Sequence, residues 1–248
     1  MQEQESKDGY RGWSLKLYAS AGEAGGAWVG GGGRSGPLSP PPEPDPQRSA
    51  VEAARRARGQ LRRYCTANGL NRLGTLTYAG AGNHDPVLLR EHLGVFFRRL
   101  RRSMGDDAFP YAWVPEWHKT DHGLHVHFAV GRFIQRRLID ESWGHGFIHI
   151  KQLGDLKVGS GKRAEARVAA GYLSKYAGKD FDGEKMPGLH RYEVAQGFQP
   201  TFSVVWGLHL ASVLEQAADG MGAPPSYVWQ SQVAEGWSGP PAVWLSWD

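Results

Sequence analysis

The chain has 248 residues, is 40% hydrophobic and 22% charged, and carries a formal net charge of +4 with an isoelectric point near 9.2. That composition is ordinary for a soluble globular protein able to bury a sizeable core in one large or two small domains. A single cysteine, Cys65, excludes a disulfide framework and a thiolate metal site, and the lack of a long apolar run or a signal-peptide pattern points to a cytoplasmic protein with no membrane span.

Residues 1–48 read as an unfolded segment, because glycines 30–33 and prolines 40–42, with Pro44 and Pro46, mark a flexible stretch running into a stiff one. Trp13, Leu15 and Leu17 are taken to dock at most transiently. The glycine run lacks the preceding strand and the following Gly-Lys-Ser/Thr of a phosphate-binding loop, so it reads as a linker. A first helix begins at Ser49, where Ser49 and Glu52 form a capping box, and ends at Asn68-Gly69. Val51, Ala54, Leu61, Tyr64 and Cys65 keep its helical spacing, and Arg55, Arg56, Arg58, Arg62 and Arg63 fill much of the rest.

A strand of alternating type is predicted over residues 72–78. Asp85-Pro86 then opens a second helix with core positions Leu88, Leu89, Leu93, Phe96, Phe97 and Leu100, a basic end at Arg98, Arg99, Arg101 and Arg102, and a stop at Gly105. Residues 111–116 read as a strand, residues 119–123 as a polar turn, and residues 124–130 as its hairpin partner. A turn centred between Asp121 and His122 sets Glu116 opposite His127 and His118 opposite His125.

A short helix over 135–142, a strand over 146–150 and a mobile basic loop over 154–163 follow. In that loop Gly159-Ser160-Gly161-Lys162 imitates a phosphate-binding motif, but Arg163 stands where Ser or Thr is required. A helix over 164–179, a strand over 201–205 and a last helix over 208–217 complete the elements, and no internal repeat is visible. After residue 220, Trp229, Trp237, Trp244 and Trp247 sit among prolines in a tail expected to wrap the surface. The expected organisation is a disordered segment over 1–48, one α+β domain over 49–220 and a tail over 221–248. Its antiparallel sheet would be backed by helices on one face, leaving the other face open as a platform.

Three groups carry chemistry. In the predicted strand 124–130, period two puts His125, His127 and Ala129 on one face and Leu124, Val126, Phe128 and Val130 on the other. Two imidazoles at i, i+2 converge on one point, as metal ligands do, although alone such a pair is equally a pair of surface histidines. Glu116 is the nearest carboxylate on the neighbouring strand, with His118 as the alternative third ligand. Such mixed nitrogen and oxygen ligation suits Mg²⁺ or Mn²⁺ in a phosphate-handling enzyme, and Zn²⁺ is compatible with the ligand types. On the later helix, Tyr172, Lys175, Tyr176 and Lys179 fall at i, i+3, i+4 and i+7, a stripe poorly suited to a core and better suited to a polyanion, with the phenols as candidate nucleophiles. Thr75-Leu76-Thr77 is a strand with small hydroxyl side chains and by itself says little.

The order Thr-Leu-Thr strand, Glu116, His-hydrophobe-His, then helical Tyr-x-x-Lys-Tyr resembles the HUH endonucleases, and within them the rolling-circle replication initiators of bacterial plasmids and phages, over about residues 50–205. The resemblance implies a five-stranded antiparallel sheet with the two histidines on a central strand and the tyrosine helix lying across the metal. It implies that His125, His127 and Glu116 hold Mg²⁺ or Mn²⁺ and that Tyr172 attacks a scissile phosphate in single-stranded origin DNA. The products would be a 5′-phosphotyrosine and a free 3′-OH. Lys175 would neutralise charge, and Tyr176 matches the second tyrosine of two-tyrosine members. Arg55, Arg56, Arg62, Arg98, Arg99 and Lys179 are the candidate DNA-binding cations. With no Walker A motif in the sequence, unwinding would come from negative supercoiling and a host helicase, and synthesis from a host polymerase. A relaxase fits less well, because Tyr172 follows His127 by 45 residues whereas relaxases usually place the tyrosine first. A transposase, a non-catalytic nucleic-acid-binding domain and a metal-dependent phosphoesterase are the other readings weighed.

Overall fold

The computed structural model describes residues 11–30, 46–151, 161–177, 186, 188–235, 237 and 239–247. In chain order the elements are β1 (Gly12–Tyr18), β2 (Glu23–Val29), α1 (Pro46–Ala67), β3 (Arg72–Tyr78), α2 (Pro86–Ser103), β4 (Tyr111–Trp117), β5 (Leu124–Val130) and α3 (Arg136–Trp143). They continue with β6 (Gly146–Lys151), α4 (Gly161–Ala177), β7 (Glu193–Val194), β8 (Ser203–Gly207), α5 (Leu210–Met221), β9 (Tyr227–Gln230) and β10 (Ala242–Ser246). The class is α+β, with two five-stranded antiparallel sheets, and no helix among the described residues is long and apolar enough to cross a membrane.

The chain divides into two compact units, Pro44–Gln199 and the combination of Met1–Glu43 with Pro200–Asp248. The larger unit holds a sheet of order β6-β3-β5-β4-β7, so β5 is its central strand. On one face Leu124, Val126, Phe128 and Val130 of β5 meet Leu89, Leu93, Phe96, Phe97 and Leu100 of α2 and Ile139 and Trp143 of α3. Each of these side chains, fully buried, contributes roughly 1.5–3 kcal/mol of transfer free energy. The start of α2 is set by Asp85, whose carboxylate accepts from the amides of Val87 at 2.8 Å and Leu88 at 3.3 Å, with Pro86 in the first turn. Leu88, expected in the core stripe, is exposed.

The opposite face is not an open platform, which corrects the expectation of helices on one side only. Leu61, Tyr64 and Cys65 of α1 and Ala169, Ala170, Leu173 and Ala177 of α4 pack there on Leu73, Ala112, Val114 and Ala129. The alanine-rich stripe of α4 lets that helix approach the sheet closely. The first helix also starts at Pro46, ahead of the expected Ser49, and ends as expected, with Gly69 in the left-handed region (φ 62) and the Leu70 amide bonded to the Cys65 carbonyl at 2.9 Å.

The smaller unit overturns the expected disorder over 1–48 and the expected surface tail over 221–248. Its sheet has the order β8-β1-β2-β10-β9, drawn from both ends of the sequence, and the strand expected near 201–205 belongs to it. Trp13, Leu15 and Leu17 are a period-two set after all, packed with Ala24, Val243, Leu245, Trp247 and the α5 residues Val213 and Ala217. Glycine in β2 is structural: a Cβ on Gly26 would run into the Ser14 carbonyl oxygen of β1. Trp229 and Trp244 lie in strands paired with each other, and the buried Trp247 donates its indole N–H to the Ala223 carbonyl at 2.6 Å.

Candidate active site

β5 is straddled by β3 and β4, and the register across these strands decides which side chains meet His125 and His127. Glu116 pairs with His125, Val114 with His127, Thr77 with His125 and Thr75 with His127. The hairpin is thus displaced by two positions from the expected pairing of Glu116 with His127. A slip of two leaves every side chain on its face, so Glu116 still joins the histidines. Both imidazoles are buried, at 9% and 7% exposure.

The three ligand-type side chains converge tightly. Glu116 Oε2 lies 3.0 Å from His125 Nε2 and 2.9 Å from His127 Nε2, and the two nitrogens are 3.1 Å apart. Among the described residues this is the one group of three or more His, Cys, Asp or Glu able to hold a metal ion. Burying an uncompensated carboxylate costs several kcal/mol, so positive charge must sit at this point as an imidazolium proton or a cation. His127 Nδ1 is 3.1 Å from Thr75 Oγ1. With Nδ1–H donating to that hydroxyl, Nε2 presents its lone pair to the cluster, the arrangement by which outer partners orient metal-ligating histidines. His125 has no such support: its Nδ1 is buried without a protein hydrogen bond, at a cost of about 1–3 kcal/mol.

His118, the alternative third ligand, is drawn into its own loop, with Nδ1 2.7 Å from Thr120 Oγ1. Its ring centroid is 5.3 Å from that of His125, and Glu116 occupies the third position.

The helix α4 brings both tyrosines to the cluster. The Tyr176 ring stacks on His127 at 3.7 Å between centroids, and the Tyr172 ring stands edge-on at 6.4 Å. Tyr176 donates its hydroxyl to the Tyr172 oxygen at 2.7 Å. Burial, then the hydrogen bond to Tyr172, and then the negative charge of Tyr172 and Glu116 push the Tyr176 phenol well above its usual range, so it keeps its proton and remains the donor.

The lysines fall differently from expectation. Lys175 is exposed, because at about 100° per residue it lies beyond Tyr172 on the side away from the Ala169–Ala170–Leu173 stripe. Lys151 of β6, which sequence reasoning did not single out, places its ammonium 3.7 Å over the Tyr172 ring centroid. Thr75 was likewise passed over as an ordinary strand residue. Lys179 and most of the expected basic loop lie outside the described residues. Arg55, Arg56 and Arg62 are on α1 and Arg98 and Arg99 on α2, helices packed on opposite faces of the sheet, so the two clusters do not form one patch.

Residues 71–181 match the family model described as replication-associated protein ORF2. The matched stretch contains Thr75, Glu116, His125, His127, Lys151, Tyr172 and Tyr176, and excludes α1 and all strands of the smaller unit. No curated protein and no solved structure matches the chain.

Proposed function

We propose that this chain, carrying the replication-associated segment, is a rolling-circle replication initiator of the HUH type. It would nick and rejoin single-stranded origin DNA through Tyr172 beside a divalent metal held by Glu116, His125 and His127. The observation that carries this is the junction of the two halves: the three-ligand cluster and the phenol pair meet where Tyr176 stacks on His127 and donates to Tyr172. The ligand separations of 2.9–3.1 Å suit three neighbouring corners of a six-coordinate Mg²⁺ or Mn²⁺ site, where bonds of roughly 2.1 Å place adjacent ligand atoms about 3 Å apart. A cation there would act as a Lewis acid on a phosphate oxygen.

The protein's own residues account for the rest. Tyr172 Oη bonds to phosphorus, the P–O3′ bond breaks, the phenolic proton departs and the 3′ oxygen gains one. The protein then carries the 5′-phosphate, and the free 3′-OH can prime synthesis. Tyr176 keeps its hydroxyl on Tyr172 Oη, so charge gathering on that oxygen meets a donor. Thr75 fixes the His127 ring. Lys175 and Lys151 supply positive charge beside the phenols, and the α1 and α2 arginines neutralise backbone phosphates further along. A host helicase and a host polymerase are the partners this activity requires.

The test is a covalent-adduct assay. The protein is incubated with Mn²⁺ and a 3′-labelled single-stranded DNA pool of random sequence, and an SDS-stable labelled protein is sought. An adduct is expected, lowered by roughly 10³-fold or more in Tyr172→Phe, the scale of losing a nucleophile, and absent in EDTA. Retained cleavage in Tyr172→Phe that vanishes when Tyr176 is also replaced would reassign the nucleophile to Tyr176. An adduct that survives both replacements, or forms without metal, would sink the mechanism.

A further inference from the structure

The β6 strand is an edge of the larger unit's sheet, and its register carries the histidine face outward to that edge. Thr77 pairs with both His125 and Phe147, Thr75 with both His127 and His149, and Leu73 with both Ala129 and Lys151. Three rows therefore cross the sheet, and Phe147, His149 and Lys151 share the face of the metal cluster two strands away, about 10 Å along the hydrogen-bonding direction. The opposite face of the same strand behaves differently, since Ile148 is buried in the α2–α3 core.

The helices on the histidine face pack over β4 and β5 through Ala112, Val114 and Ala129, which leaves the β6 side open. Phe147 is 68% exposed, and His149 and Lys151 are exposed as well. An apolar ring projecting from an edge strand contributes nothing to the core and invites aggregation unless it has a partner. A flat aromatic flanked by cationic and hydrogen-bonding side chains is the arrangement on which unpaired bases stack while their phosphates are neutralised. Lys151 ties this shelf to the chemistry, because its ammonium lies 3.7 Å over the Tyr172 ring.

We propose that the β6 face is the shelf that holds the single-stranded DNA flanking the scissile phosphate, with Phe147 stacking on a base and His149 and Lys151 facing the adjoining phosphates. The assignment builds on the nicking activity proposed above, and it adds where the strand lies and which residues set its hold. Lys151 belongs to both parts, neutralising a phosphate beside the attacking phenol.

Binding separates the two ideas, because it needs no cleavage. In the Tyr172→Phe background with EDTA, a fluorescent random single-stranded oligonucleotide is titrated by anisotropy. Phe147→Ala is expected to bind about 10-fold more weakly, the scale of one lost base stack, and Phe147→Trp to restore binding. Phe133→Ala, which removes an equally exposed ring (70%) from the β5–α3 connection, is expected to change nothing. Lys151→Ala should lower the salt dependence by about one phosphate contact. With Tyr172 restored and Mn²⁺ present, Phe147→Ala should need more DNA for half-maximal nicking yet keep its single-turnover rate at saturation. Unchanged binding in Phe147→Ala overturns the shelf, as does an equal loss in Phe133→Ala or an equal loss for duplex DNA. A switch from dimer to monomer in Phe147→Ala would overturn it too, by making the strand a protein interface. Phe147-dependent binding without any adduct would remove the nicking mechanism and leave the shelf standing, whereas an adduct indifferent to Phe147 would do the reverse.

Discussion

Two pairs of histidines flank the sheet of the larger unit, one on each side, and they differ in everything but residue type. His125 and His127 stand nearly perpendicular, at 87°, and aim their Nε2 atoms at each other and at a carboxylate. His92 of α2 and His145, just before β6, lie flat on one another at 3.8 Å and 17°. Their ring faces meet, His92 Nδ1 is 3.0 Å from the Tyr78 hydroxyl, and the positive charge nearby is the Arg99 guanidinium. Clustering of imidazoles is therefore no sign of a metal site. Convergent lone pairs and an anion make one; stacked rings beside a guanidinium repel a cation.

The largest effect should separate the pairs outright. Mn²⁺ titrated calorimetrically into the apo protein is expected to bind at least about 100-fold more weakly in His127→Ala, more than the 10–100-fold typical of losing an outer partner. His92→Ala should bind as the wild type does. Equal weakening in both variants would erase the distinction drawn from ring geometry. A smaller effect sharpens it further. Thr75→Val removes only the hydroxyl that holds His127 Nδ1, so affinity should drop about 10-fold. Thr75→Ser should recover it, and a Thr75→Val variant with unaltered Mn²⁺ affinity would show that the ring is held by packing against Tyr176 alone.

The metal cluster was legible in the sequence because it is local: the pattern of residues 124–130 fixes which face each histidine takes, and Glu116 lies on the adjoining hairpin strand. The register was misread because a turn of unknown geometry sets it. The His118 amide closes the loop on the Gly123 carbonyl at 2.7 Å, which centres the hairpin between Thr120 and Asp121. Thr75 and Lys151 were illegible for a different reason. They reach the site only through the pairing of β3 with β5 and of β6 with β3, long-range contacts that no periodicity in 72–78 or 146–151 announces. The smaller unit was missed because glycine carries two meanings. In β2 it permits close approach of strands, and composition alone made the same residues look like linker. Its core is also built from opposite ends of the chain, Leu15 against Leu245, a pairing no local window contains.

The second histidine pair has its own, weaker signature, in stability. Burial first, then the neighbouring His92 and Arg99, hold the His145 imidazole below its ordinary 6.5. The folded protein thus takes up this proton less readily than the unfolded chain. The contribution of neutral His145 is complete above 6.5 and is lost as pH falls from there through the lower, folded-state value. His145 is only partly buried, so the effect is the smallest of those named here. Urea unfolding in EDTA, run above and well below 6.5, should show the wild type losing more stability on acidification than His145→Asn. The difference between the two proteins is the quantity to compare, since other histidines titrate in both. Equal losses would mean that the stack does not resist protonation. The pair would then differ from His125 and His127 in geometry alone, and not in the charge state its surroundings enforce.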